Sequence, residues 1–211
     1  MQNYKNIKTI IFDFGGVLLD LDINRCIMNF KQLGVQNIEQ FLNNYAQKGI
    51  FMELEKGLIS AEKFRDEVRK ITANNASDEE IDAAWCSFLV DVPTEKLEML
   101  YQLRKKFRVI LLSNTNAIHF PYAAEKYLKH NGLTISDFFD KCYLSYEMKM
   151  AKPDIEIFNT LLLEENIDAA NCLFLDDGIK NIEIANQLGI QTYHAKENES
   201  LSFLISDDTW C

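Results

Sequence analysis

Four short segments of the chain place polar side chains at the end of an apolar run or at the start of a helix. The first is Asp13, which ends the apolar run 7–12 and is followed closely by Gly15 and Gly16. A carboxylate fixed at a strand end can act as a nucleophile, and glycines beside it let a substrate approach the backbone closely. An isolated Asp at a strand end is, however, more often a turn residue that bonds its own backbone.

The other three segments strengthen the catalytic interpretation of Asp13. They are Ser113-Asn114 after the run 109–112, Lys152 before Pro153, and the acidic pair Asp176-Asp177 after the run 172–175. Each has an ordinary structural explanation as a turn, a helix start or a helix cap. Two adjacent carboxylates at an apolar strand end nevertheless repel each other unless a cation or a lysine compensates them. That repulsion favours a metal site at Asp177.

The elements that must position these residues follow from hydrophobic patterning. Apolar runs typical of buried parallel strands span residues 7–12, 109–112, 142–144, 172–175 and 190–193. Helical patterns at 153–163 and at 179–188, the latter ending before Gly189, alternate with the later runs. We therefore expect an α/β fold with a doubly wound, mostly parallel Rossmann-like sheet. Such sheets bind ligands beyond the carboxyl ends of their strands, which is where Asp13, Ser113 and the Asp176-Asp177 pair would lie.

A different pattern separates the first two strands. Residues 23–92 predict helices, with a capping box from Ser77 to Glu80. Glycine stops are expected at Gly34, Gly49 and Gly57. We interpret residues 21–92 as an inserted helical cap domain and residues 1–20 and 93–211 as the catalytic core. Helical spacing favours a small apolar core, rather than a ligand cage, for the aromatic residues Phe30, Phe41, Tyr45, Phe51, Phe64, Trp85 and Phe88.

Length and charge restrict the class of protein. The chain has 211 residues and a formal net charge of −10. This charge disfavours nucleic acid and anionic membranes as partners, since both bind through basic patches. No apolar stretch approaches the roughly 20 residues needed to span a bilayer, and the N-terminus lacks a signal-peptide pattern. We expect a cytoplasmic monomer or homodimer with reduced thiols at the scattered positions Cys26, Cys86, Cys142, Cys172 and Cys211.

Taken together and in this order, the four segments resemble the motifs of the haloacid dehalogenase-like (HAD) hydrolase superfamily. The resemblance spans nearly the whole chain, with the helical cap inserted just after the first strand. Residues 19–25, 113–116 and 186–190 are further similar to the branch that contains alpha-D-glucose-1-phosphate phosphatase. The resemblance implies a phosphatase for a small phosphorylated metabolite, with Asp13 as the nucleophile that carries an aspartyl-phosphate.

The resemblance also implies a magnesium site. The carboxylates of Asp13 and Asp177 and the backbone carbonyl of Gly15 would hold Mg²⁺ together with water and a phosphate oxygen. Asn181 lies one helical turn beyond Asp177 and would steady the shell of ligands. A solvated helix position explains Asn181 equally well.

The remaining site residues would act on the transferring phosphoryl group. Lys152 would supply positive charge, and Asp176 would mainly position Lys152. The Ser113 hydroxyl and the Asn114 backbone would donate hydrogen bonds to the phosphoryl oxygens.

One position departs from the family pattern. Family phosphatases usually carry a second Asp two positions after the nucleophile as general acid, whereas this chain has Gly15. General acid catalysis accelerates a reaction by roughly 10²–10⁴-fold. Its absence should slow the hydrolysis of esters with poor leaving groups most. Three explanations stay open. The substrate has an acidic leaving group, such as an anomeric sugar phosphate; or Asp20, Asp22 or His119 substitutes for the acid; or the protein is a weak relative that binds a metabolite or a partner protein. The resemblance to a branch that also lacks this Asp favours the anomeric sugar phosphate.

A 2-haloacid dehalogenase, in which the same Asp attacks carbon without a metal, is the other enzymatic hypothesis. The intact Asp176-Asp177 pair argues against it, because extra carboxylates would repel an anionic substrate in a metal-free site. We expect the cap to close over the site and to determine specificity. Arg25, Glu53 and Glu55 are either polar contacts from the cap or exposed helix charges.

Overall fold

In the computed structural model, the described residues are 4–42, 47–72, 75–196, 199–206 and 209–210. Tyr45 and Cys211 lie outside these ranges. The strands are β1 (Thr9–Phe12), β2 (Asp20–Leu21), β3 (Leu89–Asp91), β4 (Arg108–Ser113), β5 (Lys141–Leu144), β6 (Cys172–Asp176) and β7 (Gln191–His194). The α-helices are α1 (Ile23–Gln32), α2 (Ile50–Glu55), α3 (Ala61–Ile71), α4 (Asp78–Cys86), α5 (Thr94–Leu103), α6 (His119–Lys126), α7 (Ile135–Phe138), α8 (Ser145–Met148), α9 (Ile155–Glu165) and α10 (Ile179–Gln187).

A five-stranded parallel sheet forms the centre of the fold, in the order β5-β4-β1-β6-β7. Each predicted apolar run contributes one of its strands. The central strand β1 lies between β4 and β6, with Phe12 opposite both Leu111 and Leu175. Because parallel strands end at the same edge of a sheet, the residues that follow β1, β4 and β6 are brought together.

Alternate side chains of the strands enter two apolar layers. Ile10 and Phe12 pack in one layer with Leu100 of α5, whereas Ile11 packs in the other with Phe158 of α9. Fully burying such a side chain contributes about 1.5–3 kcal/mol, so both faces of the sheet stabilise the fold. This arrangement confirms the predicted α/β fold with a doubly wound sheet.

The two helices beside the predicted site begin and end close to their expected positions. The helix predicted to begin at Pro153 begins instead at Ile155, because Ala151 to Asp154 form a turn in which Asp154 N donates to Ala151 O at 2.9 Å. The other helix, α10, ends as predicted before Gly189, which has φ +84°.

Helices α1 to α4 lie between β2 and β3, which pair antiparallel in a small second sheet. The chain therefore enters and leaves this helical segment through neighbouring strands. The capping box from Ser77 to Glu80 is present, and Gly34 and Gly57 follow α1 and α2 with positive φ. The stop predicted at Gly49 is wrong. This residue is the N-cap of α2, and its φ of +58° begins a helix rather than ending one. The domain boundaries proposed above stay a prediction.

Aromatic rings fill the interior of the helical segment. Phe88 stacks on Trp85 with centroids 6.1 Å apart. Centroid distances from Phe51 are 5.6 Å to Phe30, 6.3 Å to Phe41, 5.2 Å to Phe64 and 5.0 Å to Trp85. Rings at these separations stabilise each other beyond their area burial. The described aromatic residues of the segment thus pack against one another as predicted, although their core is continuous with the sheet layer that contains Ile10 and Phe12.

Two further expectations concern cysteines and membranes. Free thiols are found at Cys26, Cys86, Cys142 and Cys172. In the part of the chain that the structure describes, no helix is long and apolar enough to cross a membrane.

Candidate active site

The nucleophile candidate Asp13 directly follows β1 and is held by backbone bonds. Its amide donates to Leu175 O at 2.9 Å, which extends the pairing with β6 by one residue. Its carboxylate oxygen Oδ1 accepts a hydrogen bond from Phe14 N at 2.7 Å. The strand and the following turn therefore fix both the backbone and the carboxylate of Asp13.

Lys152 joins two of the strand ends. Its Nζ atom lies 2.8 Å from Asp13 Oδ1 and 2.6 Å from Asp176 Oδ2. The lysine backbone is clamped by Asn114, whose Nδ2 donates to Lys152 O at 2.8 Å and whose Oδ1 accepts from Lys152 N at 2.9 Å. The loop after β4 thus holds the lysine that bridges the ends of β1 and β6.

Asp176 is fully buried and accepts hydrogen bonds on both oxygens. Oδ2 receives the Lys152 ammonium, while Oδ1 accepts from Gly178 N at 2.7 Å and from Asn181 Nδ2 at 2.8 Å. Charge-assisted bonds of this kind are stronger than neutral ones and fix side-chain orientation. Asp176 therefore orients Lys152, and Asn181 orients Asp176.

The second residue of the acidic pair, Asp177, lies against the turn that follows Asp13. A Cβ built on Gly16 would be 2.4 Å from Asp177 Oδ2, and Gly16 has φ +76°. Glycine is therefore required at this position both for the backbone conformation and for the close approach of the carboxylate. Carboxylate oxygens of Asp13, Asp176 and Asp177 all lie within 4.8 Å of one another.

Burial and repulsion determine the electrostatics of the cluster. Burial, helped by the negative charges of Asp176 and Asp177, raises the pKa of Asp13 to about 7 against the opposing effect of Lys152. Burial favours the neutral amine of Lys152, yet the two carboxylates beside it hold its pKa above the ordinary value. Three carboxylates against one ammonium leave excess negative charge. Hard oxygen donors and this excess fit a divalent cation such as Mg²⁺.

Ser113 and Asn114 lie at the end of β4, beside Asp13. Ser113 is only 1% exposed, and its hydroxyl has no hydrogen-bond partner within the described ranges. The predicted donation from the Asn114 backbone to a substrate stays a prediction. Sequence reasoning did not foresee that the Asn114 side chain clamps Lys152, because a side-chain bond to a distant backbone leaves no sequence pattern.

His119, one possible substitute for the missing general acid, packs in the protein interior against Trp85. It is buried with its ring stacked on Trp85 at 4.1 Å, and Nε2 lies 3.0 Å from Trp85 O. Burial lowers the His119 pKa to about 3, so the ring is neutral at physiological pH. It joins α4 to the core, and a neutral imidazole in this position is not a proton donor poised near pH 7.

The other two possible acids also have structural partners. Asp22 is the N-cap of α1 and accepts from Arg25 N at 3.0 Å. Asp20 lies in β2 with Oδ1 3.7 Å from Lys96 Nζ. Sequence reasoning missed Lys96, although a lysine on the apolar face of a helix was a detectable signal.

The cap residues singled out from the sequence differ in their contacts. Arg25 donates to Ser87 O and Leu89 O at 2.5 Å each, so it joins α1 to β3. Glu55 ends α2, and its backbone carbonyl accepts from Ser145 Oγ at 2.6 Å. Burial raises the Glu55 pKa to about 8. The Arg25 side chain therefore holds α1 to the backbone of β3, whereas Glu55 lies where α2 contacts α8.

Residues 7–189 match the haloacid dehalogenase-like hydrolase family. The chain belongs to this family. D-ribitol-5-phosphate phosphatase from Bacteroides thetaiotaomicron is 38% identical over 187 residues, which cover 89% of this chain and 91% of the relative. The similarity to this relative therefore extends over most of both chains.

Two solved structures are also similar to this family hydrolase. A HAD family enzyme from Bacteroides thetaiotaomicron, solved as the wild-type protein in complex with magnesium and inorganic phosphate, has 47% sequence identity and a TM-score of 0.90, and the match covers 95% of this chain and 100% of that one. A HAD-like family hydrolase from Porphyromonas gingivalis has 35% identity and a TM-score of 0.85, with 92% and 94% covered. The similarity extends over the helical segment as well as the sheet.

Proposed function

We propose that this hydrolase is a magnesium-dependent phosphatase of a sugar or sugar-alcohol phosphate that acts through an aspartyl-phosphate on Asp13. The observation that carries the proposal is the buried bridge from Asp13 through Lys152 to Asp176, with Asp177 beside the same turn. Two similar proteins support it. One is named a phosphatase of ribitol-5-phosphate, and the other was solved with magnesium and inorganic phosphate.

The acidic cluster supplies the metal ligands. We assign Asp13, Asp177 and the Gly15 carbonyl as the protein ligands, and Asn181 as a contact that steadies them through Asp176. When bound, magnesium would offset the repulsion between the carboxylates and a phosphate dianion. It would also favour the ionised form of Asp13, whose pKa burial raises to about 7 in the protein alone.

The proposed reaction has two displacements at phosphorus. A carboxylate oxygen of Asp13 forms a bond to phosphorus while the bond to the ester oxygen breaks, and the alcohol leaves with a proton from solvent. Water then attacks the acyl phosphate, which releases inorganic phosphate and regenerates Asp13. Lys152, the Ser113 hydroxyl and the Asn114 amide would stabilise the charge on the transferring oxygens.

The substrate class is the finer part of the proposal. Gly15 offers no proton to the leaving oxygen, which favours an acidic alcohol such as that of an anomeric phosphate. The curated relative is named for a terminal ester of a sugar alcohol, which favours a primary alcohol instead. The anomeric phosphate and the terminal phosphate are both small polyol phosphates that need the same phosphate site. The leaving group and the contacts of the cap would therefore determine which of them is the substrate.

Phosphate release distinguishes these alternatives. We would assay D-ribitol 5-phosphate, alpha-D-glucose 1-phosphate and an aryl phosphate with magnesium or with EDTA. The variant Asp13→Asn removes the nucleophile, and Asp168→Asn makes the same change at the amino end of β6, where Asp168 caps a short 3-10 helix. We expect magnesium-dependent release in the native protein and in the Asp168 variant and none in the Asp13 variant.

Failure of the phosphatase hypothesis has a defined consequence. If no ester releases phosphate, halide release from a 2-haloacid tests the dehalogenase alternative with the same nucleophile. If neither product appears while a metabolite binds with saturation, the protein is a binding member of the family.

A further inference from the structure

A buried lysine lies beside the turn that follows the nucleophile. Lys96 belongs to the first turn of α5 and is 4% exposed, on a helix face that also buries Leu97 and Leu100. A buried ammonium is unfavourable unless it is hydrogen-bonded or paired. The buried ammonium of Lys96 therefore needs a hydrogen-bond acceptor or an opposite charge beside it.

Two partners of Lys96 lie in the segment between Asp13 and the cap. Lys96 Nζ donates to Val17 O at 2.8 Å and lies 3.7 Å from Asp20 Oδ1. Burial lowers the Lys96 pKa, and Asp20 opposes that effect. The contacts thus provide both the hydrogen bond and the opposite charge that a buried ammonium needs.

The bonded carbonyl belongs to a compact turn. Leu18 N and Leu19 N both donate to Phe14 O at 2.8 Å, and Gly16 N donates to Leu19 O at 2.9 Å. The Val17 carbonyl, by contrast, bonds to Lys96 on α5. The helix is therefore attached to the turn that places Gly16 against Asp177.

The second contact is at the base of the cap. Asp20 begins β2 and is opposite Asp91 of β3, the strand that leads into α5. Two carboxylates at paired positions repel each other, and a nearby cation offsets that repulsion. The chain enters the helical segment through β2 and leaves it through β3, which is followed by α5. Lys96 thus connects α5 with β2.

We propose that Lys96 is a positioning residue that holds the turn 14–19 and the first strand of the cap connection in register with the catalytic carboxylates. It acts through the Val17 carbonyl and the Asp20 carboxylate, not through the substrate. The expected effect of Lys96 on magnesium affinity rests on the proposed function, whereas its expected effect on hydrogen exchange in the turn does not.

The test compares Lys96→Met, which removes the ammonium, with Lys96→Arg, which keeps the charge. Lys105→Met removes an exposed lysine just after the same helix and is the matched control. Magnesium affinity is measured by titration calorimetry. Hydrogen exchange is followed at the Gly16, Leu18 and Leu19 amides and at Phe174 in the central sheet.

In Lys96→Met we expect magnesium affinity to fall about 10-fold, the size found when a residue supporting a metal ligand is removed. We also expect faster exchange in the turn with unchanged exchange at Phe174. The Lys96→Arg variant should retain part of both properties, and Lys105→Met should match the native protein.

Native magnesium affinity and native exchange of the turn in Lys96→Met would overturn the inference. General acceleration of exchange that includes Phe174, with unchanged magnesium affinity, would also overturn it, because the role would then be stability alone. If the native protein binds no magnesium, the proposed function fails, and exchange of the turn alone decides the role of Lys96. If Lys96→Met does not fold, Asp20→Asn should accelerate exchange of the turn, and native exchange in that variant contradicts the inference.

Discussion

The close contact between Gly16 and Asp177 makes the substitution Gly16→Ala the sharpest probe of the site. A methyl group there would lie 2.4 Å from Asp177 Oδ2 and 2.9 Å from its Cγ. Ordinary contact begins near 3.4 Å, so the carboxylate has to move by about 1 Å. A misplacement of about 1 Å at a catalytic site can cost roughly 100-fold in rate. We therefore expect about that loss in kcat/KM, together with a higher magnesium requirement.

Backbone strain has to be separated from this displacement. Alanine at the Gly16 φ of +76° costs roughly 1–2 kcal/mol whatever its neighbours. Gly189 is a matched control, since it has φ +84° and a Cβ there would meet nothing within 4 Å. Gly189→Ala should lose comparable stability in urea denaturation and keep native activity.

The assay is phosphate release as a function of magnesium concentration in both variants, alongside their urea midpoints. If Gly16→Ala retains the activity and magnesium requirement of Gly189→Ala, Asp177 is not a metal ligand in the proposed geometry.

Three further outcomes are expected. Lys152→Met leaves two buried carboxylates without their shared cation, which should destabilise the protein by about 3–5 kcal/mol in urea denaturation and abolish activity, whereas Lys152→Arg should be less unstable. Glu55 has its pKa raised by burial from 4.5 to about 8, so the folded state holds the proton more tightly than the unfolded state. Stability should fall as pH rises across that interval, and Glu55→Gln should abolish this part of the pH dependence when urea midpoints are compared at low and high pH. A Cβ at residue 15 would meet Leu21 Cδ1 at 3.0 Å, so Gly15→Asp should accelerate hydrolysis of alkyl phosphates relative to an aryl phosphate more strongly when it is combined with Leu21→Ala. Equal ratios in the single and double variants would contradict the steric explanation.

The sequence was sufficient to predict the strands and the edge at which the polar residues meet. Apolar runs specify buried strands, and the geometry of a parallel sheet brings their carboxyl ends together. This is why Asp13, Ser113 and Asp176 could be expected at one edge of the sheet before any contact was known. Lys152 follows no strand, and its place in the cluster was expected from the family resemblance. The ring core of the helical segment was predictable for the same reason, since it follows from helical spacing.

Features that depend on loop conformation were not predictable in the same way. The clamp of Asn114 on the Lys152 backbone requires two loops to meet, and no periodic pattern encodes that meeting. Gly49 shows a related difficulty, because a glycine with positive φ can begin a helix as well as end one. The partners of Lys96 became visible only when α5 and the turn after β1 were placed side by side.

The Ser145 hydroxyl has a consequence for the cost of moving the cap. Its oxygen accepts from Thr115 N at 3.0 Å, and its hydrogen has two acceptors within reach, Glu55 O at 2.6 Å and Thr115 O at 2.9 Å. When α2 withdraws, the hydroxyl can turn from the first carbonyl to the second and remain bonded. Stranding a buried donor would cost about 1–3 kcal/mol, and the exchange of acceptors avoids that penalty on the Ser145 side. The expected opening of the cap would therefore leave the loop after β4 with its own bond to Ser145.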